Sequence, residues 1–452
     1  MLDDAMPTSL LDVWSVARER TGGESSASEG ALTRARRSWF DTAATILGGS
    51  RERCTAAAVA ASHGSDDALV LGTASHALDF DDVCMLATCH PSAPVVAALL
   101  AMLPAATRRR PELRLGEVLS AYLVGTEVIL RLGERLGFRH YGLGFHATGT
   151  LGVIGAAAAC AKVMSLKPHD ARASLAIAAS SASGLRANFG TDVKPLHVGF
   201  AASAGVRAVL LAEAGAIGSD DVWGDQGFDL AFNGGEPVDD TRWTPATPWA
   251  IESPGFEHKR FPSCYLSHRL IAGLLVLRDR FPPAAREGAV AIDIEVPKTG
   301  LSALKYPSPI TGLEGKFSGP YCAATTWLDG QVRLASFTDE AVRRPAIGRL
   351  MSATTVHERT GADERLDTSP VTVRVRAGER EEAIVVDWAP GSPADPMTTA
   401  DLAAKWSDCA QHAGIDAPAS LPATLLDAPA ASLATDVLGP LRKLLLAATG
   451  AS

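Results

Sequence analysis

The chain has 452 residues, 47% of them hydrophobic and 21% charged, enough to bury a large core and to form two domains. Its net charge of −9 is spread without long acidic or basic blocks. That argues against nucleic acid or an anionic membrane surface as the main partner, so an anionic ligand must be met by a local cluster of cations.

The first segment, MLDDAMPTSLLDVWSVARER, is acidic and then amphipathic, without the charged start and apolar core of a signal peptide. No apolar stretch is both long and unbroken enough to span a bilayer. Seven scattered cysteines form no CxxC pair, which suits a reducing compartment and disfavours a structural zinc site. The expectation is a cytoplasmic protein with no membrane partner. Residues 21–30, TGGESSASEG, are a polar linker. From about 31 to 215 the chain is a succession of Ala/Leu-rich segments at helical period, among them LTRARRSWFDTAATIL, GEVLSAYLVGTEVILRLGERL and GFAASAGVRAVLLAEAG. Their many small residues let helix axes approach closely, as in a tightly packed bundle.

After about 250 the pattern changes. AIDIEV (291–296), VTVRVR (371–376) and EAIVVDW (382–388) alternate or run β-branched, the last two joined by a turn, and predict a hairpin with a partner strand. SHRLIAGLLVLRDRF adds a helix, and PGSPADP (390–396) breaks the segment off. TTADLAAKWSDCAQHAG and LGPLRKLLLAA then end the chain in helices. The expected architecture is mainly α: a helical domain from 1–253 and 392–452, and an α+β lid domain over 254–391.

Only nine lysines occur, none before Lys162, so Lys194 at the front of a small-residue helix demands a reason. Other helix starts share the feature: His90 before PSAPVVAALLAML, His146 before ATGTLGVIGAAAA, and Lys259 with Arg260 before PSCYLSHRLIAGLL. A helix N-terminus presents free N–H groups and partial positive charge, so an adjoining Lys or His makes a site for carboxylate or phosphate. The bland alternative is a lysine that lays its stem along the surface, or a histidine bonded within the core. In LDFDDVCMLATCHP (78–91), Asp81 is placed to orient His90 or to act as base, with Asp82 the second candidate partner. The glycines of RHYGLGFHATGT (139–150) have the spacing of neither a P-loop nor a complete GxGxxG, which disfavours nucleotide binding.

LDFDD followed by HPS, GFHATGTLG, FGTDVKPLHVGFAA, KRFPSCYLSH, LEGKFSGPY with LDG, and the RP of AVRRP resemble the MmgE/PrpD family, over about residues 35 to 410. That family includes 2-methylcitrate dehydratase, cis-aconitate decarboxylase and iminodisuccinate epimerase. The resemblance implies a helical domain built from both chain ends, an inserted lid, a homodimer, and no metal or other cofactor. It places active-site positions on Asp81, His90, His146, Lys194, Lys259 and Tyr306; beside these, Lys259, Arg260, Cys264 and Asp82 are expected to contact substrate. The shared task is removing a proton α to a carboxylate of a small di- or tricarboxylate, which needs a base and cations to stabilise the developing charge. Dehydration of the 2-methylcitrate type is the first expectation, then epimerisation, then decarboxylation, with a non-catalytic carboxylate binder as the rival. Cys264 stands where the decarboxylase branch has a histidine.

Overall fold

The computed structural model describes residues 28–224, 226–238, 247–286, 288–361, 366, 368–418 and 420–451, besides Ser15 and Arg18. The amphipathic segment at 1–20 and the linker up to residue 27 therefore fall, those two residues apart, outside the described residues. Ser28 caps the first helix, its side chain accepting from Ala31 N.

The molecule is mainly helical. Its body is built from α1 (Glu29–Gly49), α2 (Asp67–His76), α3 (Ser92–Arg109), α4 (Leu115–Gly142), α5 (Gly152–Val163), α6 (Pro168–Ser180) and α7 (Val193–Glu213). The chain end returns to this body as α10 (Thr399–Ala413) and α11 (Ala434–Thr449). Trp406 of α10 packs its ring 5.9 Å from that of Phe40 on α1, and Leu438, Leu441 and Leu445 of α11 join the same core. By length and composition α7 could cross a bilayer; it runs through the bundle against α2, α5 and α6.

Small residues set the closest approaches. Where α2 crosses α7, a Cβ on Gly72 would lie 2.9 Å from Gly199 Cα, and one on Gly199 would lie 2.3 Å from Thr73 Oγ1. Only hydrogen fits between these backbones.

The lid carries a four-stranded sheet in the order β2-β1-β3-β4, with β1 (Val290–Val296), β2 (Thr354–Glu358), β3 (Val371–Ala377) and β4 (Arg380–Val386). β1 runs parallel to β2 and antiparallel to β3, and β3 and β4 form the expected hairpin. β2 was absent from the sequence reading: five residues with no alternation in burial carry no strand signature of their own. Residues of α8 (His268–Arg280) and α9 (Gly319–Asp329) share a second core with Ile292, Ile294, Val373 and Val375. The two cores meet along the loops that carry the candidate site.

Candidate active site

His76 ends α2, and the chain turns at once through Asp79, whose φ of +51° is the left-handed conformation that Asp tolerates better than most residues. The turn brings two carboxylates to opposite duties. Asp79 takes Lys194 on Oδ1 and lies 3.1 Å from Lys259 Nζ through Oδ2, while Lys259 also donates to the Asp79 carbonyl at 2.9 Å. Burial alone would raise the Asp79 carboxyl; Lys194 and Lys259 outweigh it and hold it well below the usual range. Asp81 accepts from His76 Nδ1 at 2.8 Å and lies 3.2 Å from His90 Nδ1 through the same oxygen. Here too burial opposes the charge, and the two imidazoles outweigh it.

The loop from 83 to 90 folds back on itself through paired backbone bonds between Cys84 and Cys89. It presents His90 just ahead of α3, with His90 N donating to Thr148 Oγ1 at 3.1 Å. His146 caps the turn Ala147–Thr150, and its Nδ1 lies 3.0 Å from Nδ1 of His197 on α7. The His76 ring packs edge-on against His90 at 4.5 Å and stacks on His146 at 5.6 Å. Burial lowers the pKa of all four imidazoles, to about 3 for His76 and about 4 for His197, so they are neutral at neutral pH.

Lys194, in the first turn of α7, is 4% exposed, so it does not lay its stem along the surface. Lys259 does not precede a helix either: its extended segment is held between Val83, which pairs with Glu257, and Gly391, which accepts from His258 N. A third buried lysine, Lys316, donates to Leu78 O at 2.6 Å and Pro262 O at 2.9 Å and so ties the Asp79 turn to the lid; burial lowers its pKa to about 8.

Asp79, His90, His146, Lys194, Lys259 and Cys264 all line one cavity of about 60 Å³ between body and lid. Leu266 and Phe317 of the lid line the same cavity and give it an apolar wall opposite the charged groups. Burial raises the Cys264 thiol to about 11, so it is uncharged at neutral pH. His76, Asp81 and His90 have donor atoms within 4.8 Å of one another, a spacing a cation could use. The donor set fits one poorly: Asp81 already accepts from His76, and the positive charge of Lys194 bears on both imidazoles.

Three expected site residues are placed elsewhere. Asp82 is fully buried behind the site and does not line the cavity; it accepts from Ser92 N at 3.2 Å and from the Ser92 hydroxyl at the start of α3, and burial raises its pKa well above the usual range. Arg260, where the chain bends, is exposed and bonds Asp401 at 2.6 Å in a separate surface cleft. Tyr306 packs beside the cavity, its hydroxyl donating to Phe189 O at 3.0 Å. Asp81 stands one layer behind the lining, in contact with His90. The sequence reading missed His76 and His197. A histidine inside an apolar helix has the look of core, and only the turn at Asp79 brings Asp81 back onto His76.

A helical body and an inserted α+β segment thus enclose a cavity lined by imidazoles and lysines, with no nucleotide-binding loop among the described residues. The MmgE/PrpD N-terminal domain matches residues 62–241 and the MmgE/PrpD C-terminal domain residues 261–419, so the chain belongs to the MmgE/PrpD family. It is similar to human cis-aconitate decarboxylase, 31% identical over 302 residues that cover 63% of this chain and 60% of that enzyme. The mouse cis-aconitate decarboxylase is 29% identical over 350 residues, 75% of this chain and 70% of the relative. A cis-aconitate decarboxylase-like protein of Aspergillus oryzae is 26% identical over 362 residues, 75% and 74% of the two chains.

Proposed function

We propose that this protein is an enzyme of the lyase class that moves a proton at a carbon conjugated with or next to a carboxylate, and that its substrate is a small unsaturated tricarboxylate of the cis-aconitate type, which it decarboxylates. The observation that carries the reading is the pairing, in one cavity, of two neutral imidazoles with two ammonium groups: His90 and His146 facing Lys194 and Lys259. The similarity to cis-aconitate decarboxylases moves the preference from dehydration to decarboxylation.

The chemistry fits these groups. Loss of CO2 from an allylic carboxylate leaves an electron pair that spreads through the double bond into a second carboxylate. Ammonium groups beside that carboxylate stabilise the developing dienolate. One proton must then be placed on carbon. A bound polyanion favours protonated imidazole, so His90 or His146 takes up a proton as substrate enters and delivers it. Asp81 orients His90 throughout. Asp79 serves as the lysines' counter-ion until a substrate carboxylate shares them.

A second reading, elimination of water from a hydroxy acid, is favoured by Cys264, which places an uncharged thiol where the decarboxylase branch has an imidazole. The same cluster would work in reverse order, the imidazole first removing a proton α to a carboxylate. Purified protein should be offered cis-aconitate, citrate, 2-methylcitrate and iminodisuccinate in deuterated water. CO2 release from cis-aconitate with one deuterium on carbon supports decarboxylation. New alkene absorbance from a hydroxy acid would replace it with dehydration, and label washed into recovered substrate without alkene would indicate epimerisation. No reaction with any of the four would sink the enzyme reading.

A further inference from the structure

His146 and His197 meet through the same ring nitrogen, Nδ1 to Nδ1 at 3.0 Å. Two neutral imidazoles can do so only if one carries its proton on Nδ1 and the other presents a lone pair there, so the tautomer of each dictates that of the other. The second nitrogen of His146, Nε2, is buried without a hydrogen-bond partner among the described residues, and His146 lines the cavity. An orphaned buried N–H is rarer than an under-satisfied acceptor. The favoured arrangement therefore puts the His146 proton on Nδ1, donated to His197, and leaves Nε2 bare.

The surrounding backbone is shaped around the pair. Gly184, at φ +131°, passes so close that a Cβ there would lie 3.4 Å from His197 Nδ1 and 3.5 Å from His146 Cβ. The Gly184 carbonyl accepts from His146 N at 3.0 Å, and a Cβ on Gly149 would lie 3.3 Å from that of His197. The titratable groups bearing on the pair are His76 from α2, His90 from the loop before α3, and Lys194 from α7 itself. All three disfavour a further positive charge. Burial is the larger cause, and with these neighbours it keeps both rings neutral, the condition under which one shared hydrogen bond selects a tautomer.

We propose that His197 is a positioning residue that pins the proton on Nδ1 of His146, so that any proton His146 exchanges with a carboxylate substrate is carried on Nε2. This rests on the reading of His146 as a proton-transfer group. When Nε2 gains a proton, the imidazolium keeps its Nδ1–H bond to His197, which spreads the charge over two rings. When Nε2 gives it up, the pair returns to its neutral state with no ring rotation.

The test uses protein labelled with 15N-histidine, with His146 signals assigned by their loss in His146→Gln. At neutral pH the wild type should show a pyridine-type Nε2 and a pyrrole-type Nδ1 at His146. His197→Phe, which fills the space without a nitrogen, should lose that single tautomer. With any carboxylate the wild type converts, its kcat should fall about ten- to a hundred-fold while KM stays within about two-fold. His197→Asn, whose amide oxygen reaches the place of Nδ1 but does not titrate, should restore the tautomer and most of kcat. A wild type protonated on Nε2, or an unchanged tautomer and kcat in the phenylalanine variant, overturns the proposal. Should His197→Phe fail to fold, the wild-type spectrum and the asparagine variant still decide. Should the wild type convert no carboxylate, the functional reading fails while the spectra alone settle the role of His197.

Discussion

Lys194 and Asp79 form an ion pair almost fully withdrawn from water, with Lys259 on the other carboxylate oxygen. If Lys194 binds substrate as proposed, it does so with the same ammonium that supports the fold, and truncating it should cost stability as well as binding. Removing one partner of a buried pair costs about 3–5 kcal/mol, because it strands the other charge. Lys259 remains to hold Asp79, so Lys194→Ala should lose about 3 kcal/mol, the lower end of that range, together with binding of any carboxylate. The double variant Lys194→Ala with Asp79→Asn separates the two effects, since the neutral amide no longer needs a cation. Urea unfolding should show more than half of the lost stability returning, while turnover and ligand-induced thermal shift stay low. A single variant as stable as wild type would contradict the ion pair. A double variant that regains turnover would remove Lys194 from substrate binding.

The crossing of α2 and α7 places His76 at the end of one helix and Lys194 and His197 at the start of the other, with Gly199 two residues beyond His197. In Gly199→Ala the new methyl would meet Thr73 Oγ1 at 2.3 Å and Leu69 O at 2.6 Å. The helices must part, so stability should fall by about 1–3 kcal/mol, and the His76 and His197 ends should move with them. Gly348→Ala, in the helix Pro345–Ser352, meets nothing within 4 Å and should instead gain about 0.4–1 kcal/mol. Thermal melts of the two variants check both signs; equal melting temperatures would show that the crossing is not the tight contact described. At this scale the sequence was a good guide wherever periodicity reports burial. The helices of the body, and β1, β3 and β4 with their alternating sides, could all be read. What could not be read depends on one residue's conformation or on partners distant in sequence. β2 is too short to show a period. His76 waits on the left-handed turn at Asp79, and Lys259 lies in an extended segment that looked like a helix start until Val83 and Gly391 were seen on either side of it. Adjacent residues divided too: Lys259 turns inward onto Asp79 while Arg260 meets Asp401 at the surface, and the carboxyl of Asp81, beside two imidazoles, is held below the usual range while that of Asp82, buried against Ser92, is pushed above it.

For the whole molecule, the body leaves apolar side chains uncovered. Phe200, Leu210 and Leu211 of α7 are 47%, 45% and 51% exposed. Phe200 and Leu211 lie eleven residues apart, close to three helical turns, so they share one stripe with the half-buried Ala204 between them. Leu185 lies uncovered in the chain just ahead of α7 and Ile217 just beyond it. A stripe of this kind on a helix whose other side lines the core marks a surface that another protein covers more often than water does. We propose that it is the face on which two copies of this chain form a homodimer, with the stripe of one meeting that of the other about a two-fold axis. Light scattering at micromolar concentration should give twice the 47.1 kDa chain mass. Phe200→Glu with Leu211→Glu should yield a monomer, because an isologous contact carries each substitution once on either protomer and so buries four carboxylates together. The stripe also continues the helix that carries Lys194 and His197, so monomer formation should lower the ligand-induced thermal shift as well as the mass. A wild type that scatters as a monomer refutes the dimer. A double glutamate variant that remains dimeric moves the interface to another face.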